Sequence, residues 1–149
     1  MTVVWAGLIF YLSTRTFGSP FSVWLLARIL GVLHLRVSGT TFDLLQYLMR
    51  RGAHLTVYGI LAVFIYYSLA GEKQPAWSFR RAVASVAIAG IYSLTDEFHQ
   101  SFVPGRDGSL LDCGVDTIGA LLGAAVIYLS SCLVNPARGE PTSSVGKSR

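Results

Sequence analysis

The stretch "DEFHQ" (96–100) sets two adjacent carboxylates, an imidazole and a carboxamide side by side, and Arg106, Asp107 and Asp112 follow before the chain turns apolar again. Such groups support two kinds of chemistry. Neighbouring carboxylates can differ enough in proton affinity to act as general acid and general base, which makes Asp96, Glu97, His99, Asp112 and Asp116 the catalytic candidates. Oxygen and imidazole donors can also hold a divalent cation, with Glu97, His99 and Asp112 as candidate ligands. The spacing matches no zinc motif, and Asp-Glu-x-His is not diagnostic of one. Binding without chemistry is the competing reading, in which Arg106, in a Pro-Gly-Arg turn, donates to a phosphate. The bland reading is that these charges only staple helix ends together.

Charge bookkeeping keeps all three readings open. Arg50, Arg51 and Arg106 stand against Asp96, Glu97, Asp107, Asp112 and Asp116, an excess of two negative charges with the histidines neutral. A divalent cation, a protonated histidine or a cationic group on a ligand would each balance it. Ionisable groups near a membrane interior cost about 2.5–3.5 kcal/mol each, so they are seldom left unpaired or turned to lipid.

The elements that position these residues are greasy. Of 149 residues 52% are apolar and only 13% charged, against about 25% in typical soluble domains. Charges fall between long uncharged runs, the pattern of a multi-pass membrane protein. The net charge of +4 comes as pairs such as Arg50–Arg51 and Arg80–Arg81 beside apolar runs, which suits phospholipid headgroups; no nucleic-acid-binding signature is present. Two cysteines, Cys113 and Cys132, are too few for a disulfide framework, and on one helix they would lie roughly 28 Å apart.

The runs Gly52–Ala70, Ala82–Phe98 and Val115–Val134 read as crossings. Val3–Leu12 falls short of the roughly 17 residues a crossing needs, so it is either partly embedded or continues a helix that starts upstream. Ser19 and Pro20 suit the N-cap and first position of a helix over Phe21–Val37 lying in the interface. A short amphipathic helix follows, with Phe42, Leu45, Leu48 and Met49 on one side. The expected architecture is an all-α integral membrane bundle of about four transmembrane helices plus an interfacial amphipathic helix. It occupies residues 1–134, ahead of a disordered polar tail over 135–149.

If successive crossings alternate in direction, the start of the second, the end of the third and the start of the fourth share one membrane face. Topology alone then gathers Arg51–His54, Asp96–Gln100 and Asp112–Asp116. His54 and Tyr58 lie one turn apart on one helix face, as do Ser93, Asp96, Glu97 and Gln100 on the next. Asp112 and Asp116 sit above Gly119-x-x-x-Gly123, a groove that draws helices together. Lysines and arginines tie at six on each side, and the short loops flanking the last two crossings favour a cytoplasmic N-terminus with the polar face outward.

"RRGAHLTVYGIL" (50–61) followed by "YSLTDEFHQSFVPGRDGSLLDCGVDTIGALLG" (92–123) resembles the VanZ-like family of small bacterial membrane proteins, and "IFYLSTR" (9–15) is similar to that family's first helix end. The resemblance implies a role linked to resistance to glycopeptide antibiotics, notably teicoplanin, but supplies no mechanism. By position it carries a polar signature onto Arg51, His54, Tyr58, Asp96, Glu97, His99, Gln100, Arg106, Ser109, Asp112 and Asp116. Arg51, His54, Tyr58, Gln100, Arg106 and Ser109 are thus the binding candidates. The implied place is the bacterial cytoplasmic (inner) membrane, and the implied partners are membrane lipids and a lipid-linked cell-wall precursor or glycopeptide-related ligand.

Overall fold

The computed structural model describes residues 1–13, 19–70, 77–102 and 110–134. They form α1 (Thr2–Leu12), α2 (Ser19–Val32), α3 (Gly39–Ser68), α4 (Phe79–Gln100) and α5 (Leu110–Val134), with no strand among the described residues. The all-α class expected from sequence is therefore the class observed. The tail expected over 135–149, and the turn carrying Arg106 and Ser109, lie outside the described residues.

Ser38 opens the longest helix: its backbone is extended and its hydroxyl accepts from the Thr41 amide at 3.2 Å, satisfying one orphan donor of the first turn. The sequence suggested a break between an amphipathic helix ending near Met49 and a crossing starting at Gly52. Instead the two are continuous in α3. Arg50 and Arg51 are good helix formers, and one glycine costs a helix only about 1 kcal/mol against alanine. Gly52 faces open space, so nothing forces a kink there.

The helix expected over Phe21–Val37 stops at Val32. His34 adopts φ 54°, the left-handed conformation that ends helices. Its amide bonds Gly31 O at 3.2 Å, and the Leu35 amide reaches back to Leu30 O at 3.0 Å. This is the paired bonding of a Schellman ending, with histidine where glycine is usual.

α3 packs on each of the other four helices, and α4 also packs on α5. Its buried residues, Tyr58, Leu61, Ala62, Ile65 and Tyr66, recur at helical spacing along one stripe. They meet small residues: Ala62, Ala89 and Ala120 are wholly buried. Gly119 and Gly123 of α5 press against the backbone of Leu55 and Gly59 of α3, so close that a Cβ on either would overlap it. The expected glycine groove is thus an α3–α5 crossing of backbone on backbone, with Gly59 as a third member. α1 lies antiparallel along the second half of α3. Thr2 bonds Phe64 O and Ser68 at one end, and Trp5 Nε1 donates to Val57 O at 3.0 Å. Trp77 stacks on Tyr66 and meets the Tyr128 ring edge-on, so these two tryptophans join internal contacts, while Trp24 is exposed.

α4 is inverted relative to a helix of a water-soluble protein. Its buried stripe contains Ser85, Ser93, Asp96, Glu97 and Gln100, while Val83, Ile88, Ile91, Leu94 and Phe98 are exposed. In water the polar stripe would face out. Two helices, α3 and α5, are long and apolar enough to cross a membrane, while α1 and α2 are shorter apolar helices. Both features are compatible with a membrane protein.

Candidate functional site

Charged and polar side chains converge where α3 begins its buried stripe, α4 ends and α5 begins. Two carboxylates anchor the cluster. Asp116 is completely buried: its Oδ1 lies 2.9 Å from His54 Nδ1, and its Oδ2 accepts from Ser93 Oγ at 2.6 Å. One aspartate therefore ties α5 to both α3 and α4. Asp96, also buried, receives three donors on Oδ2: Ser13 Oγ at 2.8 Å, Gln100 Nε2 at 2.9 Å and Tyr58 OH at 3.3 Å. These donors come from α4, α3 and the residue that ends α1. Two aspartates thus tie together the four helices that meet here, and buried charge of this kind persists only when so satisfied.

Glu97 is buried beside them. A nitrogen of His54 and one oxygen each of Glu97 and Asp116 lie within 4.8 Å of one another, a set able to hold a divalent ion. The sequence had nominated Glu97, His99 and Asp112 for that role. His99 lies two residues beyond Glu97, on the other side of the helix, and its ring packs on Phe10 with centroids 4.5 Å apart. Asp112 sits one turn before Asp116 at the rim, where it faces Arg51 at 3.5 Å and Arg50 at 3.8 Å. Those pairs are partly solvated and weak, worth about 0–1 kcal/mol. Arg51 also lies over the Tyr47 ring at 4.6 Å.

The remaining candidates fall into place around these. His54 and Tyr58 do not bond each other; their rings stand nearly parallel with centroids 6.4 Å apart, and each serves a different aspartate. Gln100 bridges Asp96 and, at 3.3 Å, Ser13. Arg106 and Ser109 fall outside the described residues. Sequence reasoning missed Ser13 as a site residue. The signal was available, because Ser13 lies inside the "IFYLSTR" segment at the end of α1.

Asp96 also faces a cavity of about 240 Å³ between α1, α2 and α3. Ile9, Leu12, Phe21, Leu25, Met49 and Val57 make its apolar wall. Ser13, Arg50, His54, Tyr58 and Asp96 also line it and supply polar groups.

The model of the VanZ/LLP1 family matches residues 1–131, which takes in α1 to α4 and nearly all of α5. The chain belongs to the VanZ/LLP1 family. The match takes in all three stretches that suggested it, 9–15, 50–61 and 92–123, and the segments between them. No curated protein and no solved structure matches the chain. The chemistry of this VanZ/LLP1 protein is therefore argued from its own side chains.

Proposed function

We propose that this VanZ/LLP1 protein is a multi-pass protein of the bacterial cytoplasmic membrane. It binds the polar head of an envelope lipid or lipid-linked cell-wall precursor, shielding it and so altering susceptibility to glycopeptides such as teicoplanin. The observation that carries this reading is the cavity. Its lining is mostly apolar and includes Asp96, Arg50 and His54, which suits a molecule with a greasy chain and a charged head.

Depth supports the reading. At 1.5 Å per residue, His54 lies about 21 Å from Ser68 at the far end of α3, and Asp96 about 26 Å from Phe79 at the far end of α4. In hydrocarbon about 30 Å thick, both sit just beneath one surface, where lipid heads begin. In this placement α1, α3, α4 and α5 enter the membrane and α2 lies in the interface. The exposed Ile91, Leu94 and Phe98 of α4 then face lipid, and its polar stripe faces the site.

Protein purified in mild detergent should retain an envelope lipid in about equimolar amount, measured by extraction and mass spectrometry. Ala53→Trp, which fills the cavity, should remove most of it and abolish any rise in teicoplanin resistance conferred on a susceptible host. Equal retention by both proteins would refute the cavity as the site. The short loops flanking α4 and the glycopeptide link favour a polar end that faces outward. A membrane-impermeant thiol reagent should then label Ser101→Cys in intact cells, and labelling only after permeabilisation would reverse the orientation.

The cluster of His54, Glu97 and Asp116 favours a second reading, a metal-dependent enzyme acting on a lipid-linked headgroup. It predicts about one equivalent of a divalent metal in active protein, and full activity in metal-free protein would dismiss it.

A further inference from the structure

Most of α2, and the turn that follows it, lies uncovered. Among the described residues of this helix only Leu26 is buried. Val23, Trp24, Ile29, Val32, Leu33 and Leu35 are exposed, and none of them lines the cavity. Six large apolar side chains in one short stretch are not left in water, so something covers this surface.

Charge decides what covers it. All eight carboxylates of the chain lie at residue 43 or beyond, so residues 1–42 carry Arg15, Arg28 and Arg36 and no acid. Arg28 and Arg36 are exposed, and no described residue pairs with either. Arg28 lies one turn after Trp24 and one before Val32, on the same side of the helix. Beyond the helix, Leu33, His34, Leu35, Arg36 and Val37 alternate apolar with basic. Indole and guanidinium set among aliphatic side chains suit a membrane surface, where rings sit at headgroup level and long basic chains reach outward. Two other occupants fit poorly. A two-fold contact with a second copy would set this basic surface against itself. The C-terminal stretch 135–149 carries Arg138, Lys147 and Arg149 against Glu140 alone, so it is basic too.

We propose that α2 and residues 33–37 form a second lipid surface, separate from the cavity, that gathers anionic phospholipids in one leaflet through Arg28 and Arg36. The apolar side chains enter the acyl layer, and each guanidinium donates to phosphate oxygens, a geometry its planar fork suits. A zwitterionic head offers the same phosphate but brings its own cation, so selection follows net charge. The inference needs the bundle to lie in a membrane; it does not need the cavity to hold lipid.

The test uses the full chain in bilayer nanodiscs, with Cys132→Ser and an environment-sensitive fluorophore on Val32→Cys. Val32 is 67% exposed, and the remaining Cys113 is buried. Two bilayers share one composition, phosphatidylcholine with a minor part of phosphatidylglycerol. Brominated acyl chains are carried by the phosphatidylglycerol in one and by an equal share of the phosphatidylcholine in the other. The ratio of association constants read from quenching should favour phosphatidylglycerol about fivefold at low salt, the worth of one arginine beside an anionic surface. It should fall toward one at high salt, where screening shortens to a few ångströms. Arg28→Gln with Arg36→Gln, both at exposed positions, should bring the ratio close to one while both lipids still quench. Arg80→Gln with Arg81→Gln, at the opposite end of α4 from Asp96, should leave it near five. A wild-type ratio near one, or a ratio that survives loss of Arg28 and Arg36, would overturn the headgroup selection. A probe that neither lipid quenches would overturn the lipid surface itself, and crosslinking of Val32→Cys between chains would then name a second copy as the cover. None of these results bears on retention by the cavity, which Ala53→Trp tests separately.

Discussion

Asp116→Ala should lower the stability of the protein by about 3 kcal/mol, since each buried group left without its hydrogen-bond partner costs about 1–3 kcal/mol and two such groups are left. Asp116 is fully buried, so no water replaces it. The change strips the His54 imidazole and the Ser93 hydroxyl of their shared acceptor. It also opens a void at the only residue of α5 seen bonding to side chains of both α3 and α4 among the described contacts. For a chain of this size the loss corresponds to a melting temperature lower on the order of 10 °C, read by intrinsic fluorescence in detergent. Asp116→Asn keeps an acceptor for Ser93 and should cost less than half as much. A shift within 2 °C for Asp116→Ala would mean that the pair is not a structural tie.

The second large effect concerns α3 against α5. Gly123→Val should destabilise the bundle by about 1–3 kcal/mol or more, and Gly119→Val likewise. Replacing a helical glycine ordinarily stabilises a helix, by about 1 kcal/mol for alanine. Here that gain is outweighed, because the added Cβ would overlap backbone atoms of Gly59 or Leu55, which have no rotamer to escape into. The helices must separate, and with them His54 and Asp116, so lipid retention should fall along with stability. Gly114 on the same helix is the internal control. It faces open space, so Gly114→Ala should be neutral or stabilising in the same melting assay. Equal effects at Gly114 and Gly123 would show that propensity, not the close crossing, governs this helix.

Much of the site was legible because helical spacing is a local property. Ser93, Asp96, Glu97 and Gln100 recur at steps of three and four, and all four are buried on the same stripe of α4. The gathering of His54, the end of α4 and Asp116 followed from alternating helix directions and is seen in the His54–Asp116 and Ser93–Asp116 bonds. What spacing cannot give is which residue of one helix meets which residue of another. Ser13 reaches Asp96 through the docking of α1 on α3, and Gly59 meets Gly119 through a crossing angle; neither is encoded in one helix's own periodicity. The imidazole set within 4.8 Å of Glu97 and Asp116 is that of His54, whereas His99, nearer in sequence, packs on Phe10. Closeness in sequence is not closeness in space, because residues two apart on a helix point to different sides. The break expected near Gly52 had a different cause. Charges and a glycine together look like a boundary, but neither ends a helix when the next turn continues to pack.

His54 and Asp116, remote in sequence, join in one partly buried pair at the heart of the site, and a double-mutant cycle measures that directly. Unfolding free energies of wild type, His54→Ala, Asp116→Ala and the double variant, taken in one detergent, should give a coupling energy of about 1.5 kcal/mol or more. Single-variant losses that add to within about 0.5 kcal/mol would mean the two residues do not touch. The polar site described here would then not exist.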